Sequence, residues 1–242
     1  MGGRKLEIKK HFIFDVDGTL TPSRRKIDDD FAVFFSEFCT NNLVYLVTGS
    51  DKEKTIEQIG GEIYSLCERV YNCSGCDVWE GEFNVRSKEW SLPDEARQWL
   101  RKEIHLSEFC LRTGNHIEER AGMVNFSIVG RNATLGERKL YVEFDTANNE
   151  RNRIAREFNL QFPAMEAKPG GETGIDISPV GWDKSQILVD FDPKDEIHFF
   201  GDRMDKAGND YPLKREIIDK DLGLCYNIKH YKDTWKILDE LT

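Results

Sequence analysis

Three short apolar runs along the chain each end directly at small or polar residues. The runs and the residues that follow them are HFIF before Asp15, LVYLV before Thr48, and IHFF before Gly201 and Asp202. Near-continuous apolar runs of this length predict strands of a parallel sheet that is buried on both faces. Ligands of such sheets gather beyond the carboxyl ends of the strands, which is where all three runs place their polar residues.

Helical patterns follow the first two runs. Residues 28–42 (DDDFAVFFSEFCTNN) carry phenylalanines at helical spacing after an acidic first turn, and residues 51–68 (DKEKTIEQIGGEIYSLCE) continue from the second run as a helix. Alternation of strands and helices predicts an α/β domain with a Rossmann-type parallel sheet.

The middle of the chain has a different period. Residues 121–131 (AGMVNFSIVGR) alternate apolar and polar side chains, with Asn125 and Ser127 on the polar side, as in a half-solvated antiparallel strand. A capping box at Thr134–Glu137 and a helical pattern over residues 148–162 come next. We therefore predict an α+β domain with an antiparallel sheet, inserted into the α/β domain. The expected division is residues 1–81 and 182–242 for the first domain and residues 82–181 for the insert.

Composition and charge limit the classes of function. The chain has 242 residues and a formal net charge of −10, which disfavours nonspecific binding to nucleic acid or to an anionic membrane surface. No apolar run approaches the length of a membrane span, and the N-terminal residues do not have the pattern of a secretory signal. We expect a cytoplasmic protein with six free cysteines, in which the CSGC segment at Cys73–Cys76 holds two half-buried thiols rather than zinc.

Asp15 and Asp17 raise the question of what offsets two neighbouring negative charges. A carboxylate at a strand end beside phosphate and Mg²⁺ acts as a nucleophile, and a second one two residues later exchanges protons with the leaving and accepting oxygens. The alternative is a pair of aspartates that only cap a turn. Gly18 follows them and allows a close approach of the backbone to a ligand.

The other strand ends add to the chemical case. Thr48, Gly49 and Ser50 offer a hydroxyl group and backbone amides to a phosphoryl oxygen. Lys184 could neutralise both the nucleophile and the transferred phosphoryl group. Oxygen donors suited to Mg²⁺ are Asp15, Asp17, Asp202, Asn209 and Asp210.

The order DVDGT, TGS, lysine and GDxxxxxGND resembles the haloacid dehalogenase (HAD) superfamily of phosphotransferases. Four longer segments resemble the eukaryotic-type phosphomannomutase family. They are FDVDGTLTPSRRKI, ERAGMVNFSIVGRNATLGER, GGETGIDISPVGWDK and HFFGDRMDKAGNDYPL, and they are spread over nearly the whole chain.

This resemblance implies a HAD-like core with an inserted cap, Asp15 as nucleophile, Asp17 as acid and base, and Mg²⁺ as cofactor. The implied activity is interconversion of mannose 6-phosphate and mannose 1-phosphate, with hexose 1,6-bisphosphate as activator, glucose phosphates as further substrates and a homodimer joined through the caps. Its product would feed synthesis of GDP-mannose. By motif position, the implied substrate-binding residues outside the Thr48–Ser50 segment are Arg24, Arg120, Asn125, Arg131, Arg138, Gly174 and Asp176.

Two departures from the family pattern and two rival functions stay open at the sequence level. Gly174 replaces a serine of the family, and the segment Tyr71–Trp79 (YNCSGCDVW) replaces one that resembles AENG. The rivals are a sugar-phosphate phosphatase and a non-enzymatic binding module with the same fold. Apart from the resemblance, the arginines could simply pair on the surface with Glu118, Glu119 and Glu137.

Overall fold

The computed structural model describes residues 8–241. The expectation about a secretory signal falls in part on residues 1–7, which lie outside the described residues. The described chain divides into two compact units, one formed by residues 8–87 and 181–241 and the other by Lys88–Val180. The first unit extends beyond the expected boundary at residue 81, because Phe83–Ser87 forms a strand of its sheet.

The chain alternates strands and helices as follows. The strands are β1 (Lys10–Phe14), β2 (Leu43–Val47), β3 (Arg69–Asn72), β4 (Asp77–Glu80), β5 (Phe83–Ser87), β6 (Ile117–Arg120), β7 (Met123–Phe126), β8 (Met165–Gly170), β9 (Gly174–Pro179), β10 (Glu196–Gly201) and β11 (Gly223–Asn227). The α-helices are α1 (Asp29–Asn41), α2 (Lys52–Ile59), α3 (Gly61–Leu66), α4 (Asp94–Leu106), α5 (Leu135–Asn148), α6 (Glu150–Gln161), α7 (Tyr211–Asp219) and α8 (Tyr231–Leu241). Short 3-10 helices span Cys73–Gly75 and Lys184–Asp190.

The first unit is built on a seven-stranded sheet in the order β11-β10-β1-β2-β3-β4-β5. The three predicted apolar strands are confirmed as β1, β2 and β10, and β1 pairs in parallel with both of the others. Five strands, from β11 to β3, are parallel. The sheet is nevertheless mixed rather than wholly parallel, because β4 and β5 turn back and pair antiparallel at one edge.

The helices of the first unit follow the sequence pattern with one exception. Asp28 caps α1, and this helix buries Phe31, Phe35 and Phe38 against the sheet. The single helix expected over residues 51–68 is instead two helices, because Gly60 adopts φ +83° and ends α2. Among the described residues, none of the helices combines the length and apolar character needed to cross a bilayer.

The second unit has a four-stranded antiparallel sheet in the order β6-β7-β9-β8. Its apolar face, with Val124 and Ile177 among its members, packs in one core with Tyr141 of α5 and Phe158 of α6. The capping box that starts α5 is confirmed. The expected half-solvated strand is wrong in one respect: every residue of β7 is buried, so Asn125 is not exposed to solvent.

Candidate active site

The candidate site of the first unit lies at the carboxyl ends of three adjacent parallel strands. Asp15 follows β1, Thr48 follows β2 and Asp202 follows β10. Because β1 lies between the other two strands, these ends meet at one edge of the sheet. The backbone amide of Asp15 donates to the carbonyl of Phe200 at 2.9 Å, which extends the strand pairing up to the candidate nucleophile.

Lys184 is the positive charge at the centre of this site. Its Nζ donates to Asp15 Oδ1 at 2.5 Å and to Asp210 Oδ1 at 2.7 Å, and the residue is fully buried. Burial by itself would lower the pKa of this lysine, but Asp15 and Asp210 outweigh burial and raise the pKa above its ordinary value. Lys184 is therefore held as an ammonium group between the two carboxylates.

Three carboxylates around Lys184 fit a divalent cation. Asp15, Asp202 and Asp210 each place one oxygen within 4.8 Å of the others. Burial, together with the two other aspartates, raises the pKa of Asp15 well above its usual range against the opposing effect of Lys184. Burial and the charge of Asp210 raise the pKa of Asp202 to about 6. A divalent cation would offset the mutual repulsion of these buried carboxylates, and hard oxygen donors are the ligands that Mg²⁺ prefers.

Two glycines make room for these carboxylates. Gly18 has φ +79°, and a Cβ atom at this position would overlap the Asp202 carboxylate. A Cβ atom on Gly201 would lie 2.6 Å from Asp210 Oδ2. The backbone N–H of Arg203 donates to that same oxygen at 3.0 Å. The close approach of both carboxylates to the backbone therefore depends on the missing side chains.

The Thr48–Ser50 loop, the predicted phosphate-binding segment, directly follows β2. The N–H of Ser50 donates to Thr48 Oγ1 at 3.1 Å, and a Cβ atom on Gly49 would meet no heavy atom within 4 Å. The loop is supported from the CSGC segment, because the N–H of Cys73 donates to the Ser50 carbonyl at 2.9 Å and that of Ser74 to the Thr48 carbonyl at 2.7 Å. The altered segment therefore supports the loop.

The two thiols of the CSGC segment are more deeply placed than expected. Cys73 and Cys76 are both buried rather than half-buried, and neither forms a disulfide bond. Within the described residues, the carboxylates of Asp15, Asp202 and Asp210 form the only group of three or more cysteine, histidine or acidic side chains with metal-site spacing. The expectation that this CxxC segment does not hold zinc stays a prediction.

Asp17 is not a member of the group of three carboxylates, although its charge contributes to the raised pKa of Asp202. Asp17 is half-buried, and its Oδ1 accepts from the backbone N–H of Arg24 at 2.5 Å and from Gln58 Nε2 at 2.9 Å. Asn209 is exposed and precedes the buried Asp210. The roles of Asp17 and Asn209 as metal ligands stay predictions. The side chain of Arg24 is likewise exposed, on a left-handed backbone with φ 59°.

Gln58 is a residue of this site that the sequence motifs did not indicate. It lies on α2, a helix whose buried residues are Thr55, Gln58 and Ile59. Positions 55, 58 and 59 lie on one face of a helix, which is the buried face of α2. A glutamine on a buried helix face needs a hydrogen-bond partner, and this was the signal in the sequence that could have indicated Gln58. Sequence alone could not name its partner, because Gln58 contacts Asp17 across 41 residues of chain.

The second unit has a row of polar side chains across its sheet. Glu118, Asn125, Asp176 and Lys168 are register neighbours on adjacent strands and therefore share one face. Asn125 Nδ2 donates to Asp176 Oδ1 at 2.6 Å. A Cβ atom on Gly174 would lie 2.5 Å from Asn125 Nδ2, so the place of a serine side chain is taken by Asn125 in this chain.

The candidate arginines of the second unit are paired with glutamates. Arg120 Nη2 and Arg131 Nε lie 3.2 Å and 2.5 Å from the same oxygen of Glu118. The buried Arg138 has its Nε 3.7 Å from Glu172 Oε2.

The pairing considered above is therefore found for Glu118 but not for the other two glutamates. Glu119 contacts Arg97, while Glu137 accepts from Thr134 in the capping box. Arg120 and Arg131 converge on the single carboxylate of Glu118.

Comparison with protein families and curated relatives agrees with these features. A family model described as eukaryotic phosphomannomutase matches residues 31–242. The chain is 32% identical over 239 residues to the phosphomannomutase of Saccharomyces cerevisiae, covering 95% of this chain and 92% of that protein. It is 33% identical over 217 residues to phosphomannomutase 1 of Homo sapiens, covering 83% and 81% of the two chains.

Comparison with solved structures supports the fold alone. The N-terminally truncated IMP-nucleotidase of Plasmodium falciparum superimposes with a TM-score of 0.62 at 16% identity, covering 97% of this chain and 70% of that one. A trehalose-6-phosphate phosphatase related protein gives a TM-score of 0.55 at 16% identity, covering 96% of both chains. The expected HAD-like fold with an additional α+β unit is confirmed.

Proposed function

Because this chain belongs to the eukaryotic phosphomannomutase family, we propose that it interconverts mannose 6-phosphate and mannose 1-phosphate through a phosphorylated Asp15. The observation that carries the proposal is the buried contact of Lys184 with Asp15 and Asp210 at the carboxyl ends of the parallel strands. A buried carboxylate paired with a lysine at such an edge suits phosphoryl transfer, where positioning and charge stabilisation supply most of the catalysis.

The first transfer starts from a bound hexose bisphosphate or from another phosphate ester. Asp15 attacks phosphorus with the oxygen that does not hold Lys184, and an aspartyl-phosphate forms as the bond to the ester oxygen breaks. Asp17 gives that oxygen a proton and becomes a carboxylate. Lys184 offsets the charge that collects on the transferred group. The second transfer reverses these steps onto a hydroxyl group of a hexose phosphate, from which Asp17 takes the proton back.

The three carboxylates would hold a magnesium ion, with Asp15, Asp202 and Asp210 as ligands. When bound, Mg²⁺ supplies the positive charge that lets a phosphate approach this acidic pocket. Removing Mg²⁺ with a chelator is expected to abolish turnover.

A sugar-phosphate phosphatase is the rival function, since phosphatase-type chemistry would also begin at Asp15. The two functions differ in whether water or a sugar hydroxyl receives the phosphoryl group. A mutase must bind a second phosphate, and the guanidinium groups near Glu118 suit phosphate oxygens. A phosphatase does not need such a group, so the arginines favour the mutase.

A paired assay separates the two functions. Isomerisation of mannose 1-phosphate is measured with hexose 1,6-bisphosphate as activator, and release of inorganic phosphate from the bisphosphate is measured in parallel, each with and without Mg²⁺. We expect isomerisation to be much faster than phosphate release. Rapid phosphate release without isomerisation would support the phosphatase and refute the mutase.

Substitution Arg131→Ala tests the second phosphate site. We expect isomerisation to fall about 10- to 100-fold, the worth of a hydrogen bond to a charged group, while hydrolysis of p-nitrophenyl phosphate stays nearly unchanged. Arg97→Ala is the matched control, because Arg97 pairs with Glu119 instead of Glu118. Equal losses in both assays for Arg131→Ala would refute a separate phosphate site.

The remaining expectations belong to the same proposal. The family resemblance supports a cytoplasmic homodimer joined through the second unit, a role in supplying mannose 1-phosphate for GDP-mannose, and acceptance of glucose phosphates. Gly174 stands where the family has a serine, and Asn125 fills the position of the serine side chain. The preference for mannose or glucose phosphates is therefore measured in the same isomerase assay.

A further inference from the structure

Gln58 is a buried amide whose hydrogen bonds reach the acid–base residue. Its side chain is 1% exposed and lies on the inner face of α2. Burying an amide costs free energy unless the group is hydrogen-bonded, so its contacts deserve an explanation. Gln58 Nε2 donates to Asp17 Oδ1 at 2.9 Å and to Thr21 Oγ1 at 3.4 Å.

Two donors converge on one oxygen of Asp17. Besides Gln58, the backbone N–H of Arg24 donates to Oδ1 at 2.5 Å, and neither donor contacts Oδ2. Residues Asp17 and Thr21 also form an isolated β-bridge, which fixes the backbone on both sides of the loop. The carboxylate is therefore held by Oδ1 and presents Oδ2.

The other end of the Gln58 amide shows that this contact is made at a cost. Gln58 Oε1 is buried and has no hydrogen-bond partner among the described residues. An unsatisfied buried polar atom costs about 1–3 kcal/mol, so a methionine of similar length would suit the packing of α2 better. A residue kept only for packing at this position need not be an amide.

We propose that Gln58 is a positioning residue for Asp17, and this inference rests on the proposed function. Gln58 and the Arg24 amide fix the Asp17 carboxylate so that Oδ2 carries the transferred proton. As the phosphorus–oxygen bond of the ester breaks and the Asp15–phosphorus bond forms, this proton moves from Oδ2 to the leaving oxygen. Without Gln58 the carboxylate turns, and leaving groups that need the proton suffer most.

The experiment compares wild-type enzyme with Gln58→Met at saturating Mg²⁺ on a series of aryl phosphates of graded leaving-group acidity. The kcat/KM value reports formation of the phosphoenzyme. For the most acidic leaving group, which departs without a proton, we expect kcat/KM close to wild type. For the least acidic leaving group we expect kcat/KM to fall about 10- to 100-fold. A loss of this size approaches the contribution that general acid catalysis makes to enzymatic rates.

Thr55→Val is the matched control on the same helix. Thr55 is buried, and its Oγ1 donates to Asn72 Oδ1 at 2.9 Å without a contact to Asp17. We expect any loss in this variant to be uniform across the series. A uniform loss in Gln58→Met, or none, would overturn the positioning role. If Gln58→Met does not fold, Gln58→Glu is tested instead and must show the same graded loss, because its carboxylate repels Asp17.

Asp17→Asn separates this inference from the proposed function. If Asp17→Asn shows the graded loss and Gln58→Met does not, only the positioning role is overturned. If Asp17→Asn gives the wild-type dependence on leaving-group acidity, the acid–base assignment of Asp17 fails, and the inference fails with it. A graded loss in both variants, with a uniform effect of Thr55→Val, supports the proposal.

Discussion

Gly18 controls how closely Asp202 approaches the loop that carries Asp15 and Asp17. Its φ of +79° lies in the left-handed region, and a side chain would overlap the Asp202 carboxylate. Both features act in the same direction, since a residue with a Cβ atom is strained at this angle and also displaces a neighbouring acid. A single missing methyl group thus lets the carboxylates of the site come together.

At this scale we expect Gly18→Ala to lower the free energy of unfolding by about 1–3 kcal/mol, the cost of a left-handed non-glycine residue with a close contact. Urea unfolding of the metal-free protein measures it. Gly49→Ala is the control, because a Cβ atom there meets nothing within 4 Å and Gly49 has no positive φ. A Gly18→Ala protein as stable as the Gly49→Ala protein would contradict the steric account.

At the scale of elements, Asp190 joins two strands of the first sheet to the 3-10 helix that begins with Lys184. Arg86 of β5 donates to both of its oxygens, at 3.0 and 2.7 Å, and Arg69 Nη1 of β3 lies 3.3 Å away. Burial would raise the pKa of Asp190, but the hydrogen bonds and charge of Arg86 prevail and lower it below the ordinary value. The ionised form is therefore the one that stabilises the fold.

The direction of the Asp190 pKa shift determines how the free energy of unfolding is expected to depend on pH. Because the folded pKa of Asp190 is lowered, its stabilisation is present above the unfolded value near 4 and is lost as the pH falls through the folded value. Asp190→Asn should cost about 1–3 kcal/mol at pH 7 and progressively less below about pH 4, as measured by urea unfolding. Glu166→Gln is the control, since its pair with Lys168 is more exposed to solvent than Asp190 is. A pH-independent difference for Asp190→Asn would contradict the assignment.

At the scale of the whole molecule, the two units have separate cores. The core of the second unit takes all its buried members from within Lys88–Val180, and the sheet of that unit pairs with no strand of the other sheet among the described residues. A segment with its own sheet and its own apolar core can in principle fold alone.

We therefore expect residues 88–180, expressed alone, to unfold cooperatively. Near-ultraviolet circular dichroism in urea measures this, because Trp99 packs edge-on to Phe158 within the core of the segment. A matched segment that carries Phe158→Ala is expected to lose about 3–5 kcal/mol, as large-to-small core substitutions do. A gradual transition without a folded baseline in the unsubstituted segment would contradict the independence of the second unit.

Much of the molecule was predictable where one residue pattern determines one structure. The three apolar runs could only be buried strands, so the edge that holds Asp15 and Asp202 followed from them. Long-range contacts were not predictable, and the pairing of Gln58 with Asp17 is the clearest case. The boundary between α2 and α3 could not be predicted from the adjacent glycines Gly60 and Gly61. Only the structure shows that Gly60 is the one with a positive φ.

Two further features could not be predicted from the sequence. They are the burial of Asn125 and the antiparallel strands at the edge of the first sheet. Asn125 lies on the polar face of an alternating strand, and the sequence could not show that this side chain is nevertheless buried. The pairing of β4 and β5 with the parallel sheet was missed because most of their residues are half-buried or exposed and the two strands lack a continuous apolar run. For Asn125 the deciding neighbours, Gly174 and Asp176, are distant in the chain.

The phosphorylation of Asp15 is the central claim, and one measurement tests it most directly. The enzyme is mixed with Mg²⁺ and hexose bisphosphate, quenched within one turnover, treated with borohydride to reduce any acyl phosphate, and digested for mass spectrometry. We expect the reduced side chain at Asp15 alone, and none in Asp15→Asn protein. Reduction at another residue, or full isomerase turnover by Asp15→Asn, would contradict the account.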